Sequence, residues 1–295
     1  MANLVSPGVQ VKEIDLTNVV PSTSSTIGAM AGAFSWGPCE EIHTVSSETE
    51  LVEKFGKPGS YTWESVLTAA QFLSYGSALK VVRAVGTGAL NATASGTGIL
   101  TKNKTIFDSQ TPAAGDWVQA RHPGARGNNI GIKVATATVA LGTLMAATVE
   151  GVPGTSDGAS AVGGSNDEMH VVVIDRLGHF TGNPGGILEV FPYVSMAKGA
   201  VTPDGSPNYV SDVLNNGSAF IWNAYFGDDN AFGSAYEDLG TLIGSVTSAD
   251  SPVDFAISGW TNALSTMDLK GGVESSAFTL GTYIGAFSQF EDADQ

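Results

Sequence analysis

The chain has 295 residues with 37 Gly and 12 Pro, is 42% hydrophobic, and carries charge on only 14% of its positions. That balance excludes intrinsic disorder and allows a large buried core, and the length suggests about two domains. Lys plus Arg number 13 against 29 Asp plus Glu, a formal net charge of −16, and so acidic a chain repels a phosphate backbone, which argues against direct nucleic-acid binding.

The first element in chain order is a single strand. Pro7 and Gly8 break any helix, and Val9, Gln10, Val11 and Lys12 alternate apolar and polar. A lone terminal strand must join a sheet, either within its own subunit or at the edge of a neighbour's. From Pro21 the residues become small and hydroxylated, and Thr26 to Phe34 reads as a buried strand whose Gly and Ala permit close packing. Ser47, Glu48, Thr49 and Glu50 form a capping box ahead of Leu51, Val52 and Phe55, with Gly56 and Pro58 ending a two-turn helix. A second helix is predicted from Thr62 to Tyr75, with Val66, Ala69, Ala70 and Leu73 on one face and Gly76 as a left-handed cap. Leu79 to Val85 reads as a strand buried on both faces, so that 22–85 makes a strand, helix, helix, strand unit.

Residues 86–115 have few large apolar groups and read as a short insertion or loop. Beyond them the pattern is β-dominated. Trp117 to Ala120, Ile130 to Val139, Met169 to Asp175 and Ile187 to Tyr193 are β-branched runs separated by Gly, Asn and Pro turns, with a Gly/Ser/Asp loop from Gly151 to Asn166. Asn208 to Leu214 adds an amphipathic piece and Phe220 to Phe226 another strand. At the end, Ser275 or Ser276 caps a helix with Leu280, Tyr283, Ile284, Phe287 and Phe290 on one stripe, followed by Glu291, Asp292 and Asp294, acids that oppose the helix dipole. That stripe needs a partner layer which the preceding segments only partly supply. The expected fold is α+β and multi-domain: an extended N-terminal arm and linker (1–21), a small α/β unit (22–85) completed by a returning helix (268–295), the insertion (86–115) and a β-rich body (116–267).

Chemical motifs are missing. Gly86, Gly88, Gly96 and Gly98 fail the dinucleotide-binding spacing, since Asn91 stands where the third Gly belongs, and neither a P-loop nor a G-x-S-x-G elbow occurs. His43, His122, His170 and His179 lack metal-ligand spacing, and Asp228, Asp229 and Asn230 lack the calcium-loop pattern. Cys39, the single cysteine, sits beside Glu40 and Glu41, a field that raises a thiol pKa. No 18-residue apolar run and no leader pattern at Met1 to Gln10 are present, so the reading is a soluble chain made in a cytoplasm, without membrane insertion. No cofactor or metal is expected, and neither is an enzyme. The expectation is a structural subunit whose surfaces mostly meet other protein.

Four motifs in fixed order carry a resemblance: S-P-G-V at Ser6 to Val9, G-x-F-x-W-G-P at Gly32 to Pro38, E-L-V-x-x-F-G-x-P at Glu50 to Pro58, and F-L-x-Y-G-x-x-L-x-V-V-R-A at Phe72 to Ala84. With P-G-x-x-G-N-x-I at Pro123 to Ile130 and the Gly-Gly-led helix of 271–287, the chain resembles the N-terminal portion of contractile-phage tail sheath proteins of the T4-like myovirus type. Such proteins are longer. The resemblance implies that this chain is a truncated portion, and that the tube-facing surface and the sheet receiving neighbours' arms belong to a C-terminal region beyond it.

The resemblance implies a virion subunit, assembled in the host bacterial cytoplasm, that polymerises with copies of itself as stacked hexameric rings around the tail tube protein. Baseplate and tail terminator proteins are the other implied partners, and contraction would drive the tube through the host envelope. On this reading Pro7, Gly8, Val9, Gln10, Val11, Lys12, Glu13, Ile14 and Asp15 form an inter-subunit arm, and Leu16 to Ser25 an extensible hinge. Residues 134–295 carry nineteen acids against three bases, whereas 1–133 are balanced at ten each. Some of those carboxylates are therefore expected to face basic patches on neighbours, including Lys12, Lys54 and Lys57. Two alternatives stand beside it: the sheath of a related contractile injection system or bacteriocin, and a virion carbohydrate- or receptor-binding module suggested by Trp117, Trp222 and Trp260.

Overall fold

A parallel strand pair with a helical crossover organises the first part of the chain. The computed structural model describes residues 27–110, 118–136, 147–223 and 267–291. In it β1 (Ile27–Ala33) runs parallel to β3 (Ala78–Ala84), and β2 (His43–Val45) lies antiparallel on the other side of β3. Parallel neighbours need a crossover, supplied by α1 (Glu48–Phe55) and α2 (Trp63–Leu73). β1 is buried only in its second half, and Ile27 is exposed, so the expectation of a fully buried strand is corrected there. β2 was not foreseen, because three residues cannot show an alternation.

The α1 cap is half as expected. Ser47 Oγ accepts the Glu50 N–H at 3.2 Å, but the Glu50 carboxylate turns one residue further back and accepts from the N–H and Oγ of Ser46, both at 2.8 Å. Gly76 is not a left-handed cap: its φ is not positive, and a Cβ there would stand 2.8 Å from the Phe72 ring. The same ring would meet a Cβ at Gly28 at 2.5 Å. Both glycines make room for one phenyl ring between α2 and β1.

Alternation along β3 divides the core into two layers. Leu79 and Val81 pack with Phe34, Leu51, Phe55 and Val66 beneath α1 and α2, while Val82 and Ala84 point to the opposite face with Ala31. That second face is covered by the last helix. Its start is corrected by three or four residues, because the cap is Thr279, whose side chain accepts from the Thr282 N–H, and not Ser275 or Ser276. Ser275 Oγ instead accepts the N–H of Gly86 at 2.9 Å. Only Tyr283, Ala286 and Phe290 face the sheet, and the rest of the expected stripe, Leu280, Ile284 and Phe287, is exposed.

Between β3 and this helix the chain builds antiparallel sheets. β4 (Val118–Ala120) pairs with β8 (Ile221–Asn223), and β5 (Ile130–Thr136), β6 (Glu168–Asp175), β7 (Gly186–Ser195) and β9 (Met267–Asp268) form a four-stranded sheet in the order β7-β6-β5-β9. Ile132, Val134, Met169, Val171 and Val173 feed the largest core cluster, joined by Leu214 and Ile221. Three short helices punctuate the connections: α3 (Lys104–Ser109), α4 (Asp157–Ala161) and α5 (Val210–Gly217), and the last helix (Leu280–Phe287) is α6. α3 and α4 were missed because six and five residues give too little periodicity, although Asn103 and Ser156 cap them through their side chains.

The polar stretch after β3 is stitched to the end of the chain. Thr87, Leu90 and Thr93 bridge Ala277, Val273 and Lys270, and Asn128 exchanges two 2.8 Å hydrogen bonds with Gly272. Where large side chains are lacking, buried polar groups do the joining: Asn91 Nδ2 donates to the carbonyls of Thr101 and Ala120 at 2.9 Å, and its Oδ1 accepts the Thr101 N–H at 2.8 Å.

Candidate functional site

The expected arm, Pro7 to Asp15, lies outside the described residues, as do Lys12, Trp117, Trp260 and Asp228 to Asn230. Among the described residues two features join the crossover layer to the antiparallel sheets: a buried arginine and an open cleft.

Arg83, at the end of β3, is 2% exposed. Its Nε donates to the Phe34 carbonyl at 2.9 Å, Nη1 to Gly37 at 2.9 Å and Nη2 to Pro123 at 2.7 Å. Three carbonyls stand in place of a carboxylate, and they come from the end of β1, the turn after it and the loop before β5. The planar guanidinium suits this, since its donors point in several directions at once. Cys39 Sγ lies 3.5 Å from Nη1. Burial pushes the Cys39 thiol up, and the nearby Arg83 charge offsets this only in part. The thiol is therefore poorly nucleophilic chiefly through burial, with Glu40 a smaller contributor than the sequence suggests.

The cleft has a volume of about 520 Å³. One wall comes from 36–54, with Trp36, Glu41, His43, Glu50, Glu53 and Lys54; the other comes from Lys102 to Lys104, Arg121, His122 and 217–222. Arg121 sits over Trp222, its Cζ 3.8 Å from the ring centroid, and Phe107 stacks against Trp222 at 4.9 Å. Arg121 Nη1 donates to the carbonyls of Ser218 and Asn215. Burial pulls its pKa below the ordinary value, and Glu41 and Glu189 act on it from farther away. Trp222 is 2% exposed with these partners against its ring, which removes it as a sugar-stacking platform.

Two of the four histidines, His43 and His122, line the cleft, and His170 and His179 lie outside it. His122 is held neutral, its pKa well below the ordinary value through burial first and then the charges of Arg83 and Arg121. His170 Nδ1 accepts the Tyr193 N–H at 3.0 Å, so its proton sits on Nε2, facing the Gly151 carbonyl at 3.3 Å. His43 faces Glu41 at 3.4 Å, and His179 Nδ1 faces Asn129 Nδ2 at 3.1 Å. Among the described residues no three His, Cys, Asp or Glu side chains are grouped to hold a metal ion. No helix there is long and apolar enough to cross a membrane.

Of the bases singled out in the sequence, Lys54 lines the cleft, 3.7 Å from Glu50, and Lys57 lies elsewhere, beside Arg126. Lys102, Lys104 and Arg121 were missed. The signal available for them was three of the thirteen Lys and Arg residues falling within twenty positions.

Residues 25–84, which span β1 to β3, match the family model described as the N-terminal region of domain III of the Gp18 tail sheath protein. Residues 25–84 are thus similar to a tail-sheath segment. The tail sheath protein of Salmonella phage ViI is 35% identical over 189 residues, 63% of this chain and 28% of the phage protein. That of Enterobacteria phage T4 is 43% identical over 82 residues, 28% of this chain and 12% of the phage protein. The chain thus spans less than a third of the length of these sheath relatives. Among solved structures, a sheath tail protein from Listeria innocua aligns over 90% of this chain and 38% of its own with 14% identity and a TM-score of 0.43. The α+β class is plain from the structure itself, in two kinds of sheet and six helices among the described residues.

Proposed function

We propose that this chain serves in the contractile tail sheath of a phage virion, as part of a subunit that stacks in hexameric rings around the tail tube and shortens to drive that tube through the host envelope. The observation that carries the reading is the match of 25–84 to the sheath family, over the segment that builds β1, β2, β3 and the two crossover helices. Tail tube, baseplate and terminator proteins are the partners this role entails, and assembly takes place in the host cytoplasm.

The work is mechanical. A sheath that shortens without a fuel must draw its free energy from the difference between two sets of subunit contacts, since an equilibrium shifts only through differential interactions. Its subunits must move as near-rigid bodies while remaining linked. Arg83 supports the first requirement by binding three separate segments through one side chain. The arm Pro7 to Asp15, with the hinge Leu16 to Ser25, meets the second by pairing its backbone with a neighbour's sheet. The division into 1–21, 22–85 with 268–295, 86–115 and 116–267 follows the same logic, and the packing of α6 on β1 and β3 supports it.

Deleting residues 1–15 from the intact sheath protein tests the arm. Assembly should stop at subunits or short oligomers, seen by electron microscopy. Contractile tubes of normal length would refute it.

A further inference from the structure

The unit built on β1 and β3 carries exposed apolar side chains on both of its outer surfaces. On one side α2 buries Val66 and Ala69 against the sheet and leaves Trp63 and Leu67, with Tyr61 just before the helix, 50–58% exposed. On the other side α6 buries Ala286 and leaves Leu280, Ile284 and Phe287 49–77% exposed. α6 contains no charged residue, and a helix that is apolar all round belongs between two layers. Its two glycines point the same way independently. Gly281 and Gly285 are exposed and four positions apart, and neither has a positive φ. A Cβ at Gly285 would meet nothing within 4 Å, and one at Gly281 only Thr279 Oγ1 at 3.7 Å. Glycine weakens a helix relative to alanine, and the chain's own packing calls for it at neither position. A notch on that face suits a large side chain arriving from outside.

We propose that the α6 face of one copy docks on the α2 face of a second copy, with Trp63 of the second copy seated at the Gly281–Gly285 notch and its Leu67 against Ile284. The two faces match in size: with about 200 Å² for a fully exposed large side chain, roughly 370 Å² is open on α6 and roughly 320 Å² on α2. Together they fall short of a standard interface of about 1,600 Å², which suits a contact that holds by repetition along an array. The bulkiest exposed side chain of either face, Trp63, belongs to α2, which pairs it with the glycine notch and not with another α2. Because α2 and α6 cover opposite faces of one sheet, a copy that uses its α6 face still offers α2 to the next, and a head-to-tail contact of this kind does not end at a pair. The proposal rests on the sheath reading only in taking a second copy as the occupant, since a sheath needs contacts that repeat.

Introduced cysteines test it, the native Cys39 being buried. L67C and I284C chains, mixed and oxidised with copper phenanthroline, should give a disulfide-linked dimer on a non-reducing gel, while each variant alone stays monomeric. The double variant L67C/I284C should give a ladder of three and more copies, and far-UV circular dichroism checks that every variant folds. G285L, added to the double variant, fills the notch: it should raise the melting temperature and yet cut the ladder on the order of tenfold. Dimers from a single variant alone mean a like-on-like contact, and an I284C thiol closed to maleimide in the monomer means that the chain itself covers α6. Either result, a missing ladder, or a ladder that G285L leaves intact overturns the proposal. The sheath reading fails separately, on electron micrographs of the intact protein without tubes, whatever the ladder shows.

Discussion

Replacing Arg83 with methionine removes a buried charge and takes the guanidinium donors from the carbonyls of Phe34, Gly37 and Pro123, leaving Gly37 the weak Cys39 thiol donor at 3.4 Å. Two effects oppose each other. Taking a guanidinium out of the interior relieves a desolvation cost of several kcal/mol, because its partners are neutral dipoles and not a counter-charge. Against this, hydrogen bonds from a charged donor contribute about 1.5–3 kcal/mol each, and a buried carbonyl left unpaired costs about 1–3 kcal/mol. With three carbonyls lost and some of them rehydrating, a net destabilisation of about 3 kcal/mol is expected for R83M. Urea unfolding followed by tryptophan fluorescence measures it, and with a slope near 3 kcal/mol/M for a chain of this size the midpoint should fall by about 1 M. R83K sharpens the test, because one ammonium cannot reach carbonyls on three sides and should recover less than half of the loss. A midpoint for R83M within experimental error of wild type would refute the reasoning, and would mean that the guanidinium's hydrogen bonds merely balance its desolvation.

Asp175 gives the pH dependence. Its carboxylate is desolvated, which raises the pKa, but it accepts from the N–H groups of Gly178, His179, Phe180 and Thr181 at 2.7–3.0 Å, and the net shift is downward. A folded pKa below the unfolded one stabilises above the unfolded value of about 3.9 and loses that stability as pH falls through the folded value. D175N should therefore cost about 2 kcal/mol at neutral pH and flatten the acid limb of a stability-against-pH curve; an unchanged acid limb would count against it. Gly271 has φ +76° and a Cβ there would stand 2.3 Å from the Gly96 carbonyl oxygen, whereas Gly88 has φ +81° with open space around it. G271A should lose at least about 2 kcal/mol and G88A about 1 kcal/mol, read as melting temperatures, because only the first adds a backbone collision to the left-handed penalty.

Local rules carried far in this sequence where one element decides its own fate. The Ser47 cap, the Gly56 stop and the β-branched runs of β5 and β6 all place themselves, because capping geometry and β-branched runs bounded by turn residues are short-range signals. Failures came where a distant partner decides. Gly76 looks like a helix cap in sequence but is small on account of Phe72. The stripe of α6 looks uniform, yet only Tyr283, Ala286 and Phe290 meet Ala31, Val82 and Ala84, since the sheet presents room for one side of the helix. The cleft was invisible for the same reason: α1, the 102–104 stretch and the α5–β8 turn lie far apart in the chain, and only folding brings their charges together.

The covering of β3 by α6 also sets a clock. About 200 residues separate Ala84 from Ala286, so at roughly 5–20 residues per second a ribosome finishes the first three strands some 10–40 s before it delivers the helix that covers their second face. Throughout that interval Ala31, Val82 and Ala84 are without the layer that covers them in the folded chain. Small side chains at two of those three positions keep the bare face only weakly sticky. The nascent chain thus carries an unfinished sheet that is poor at capturing other nascent chains.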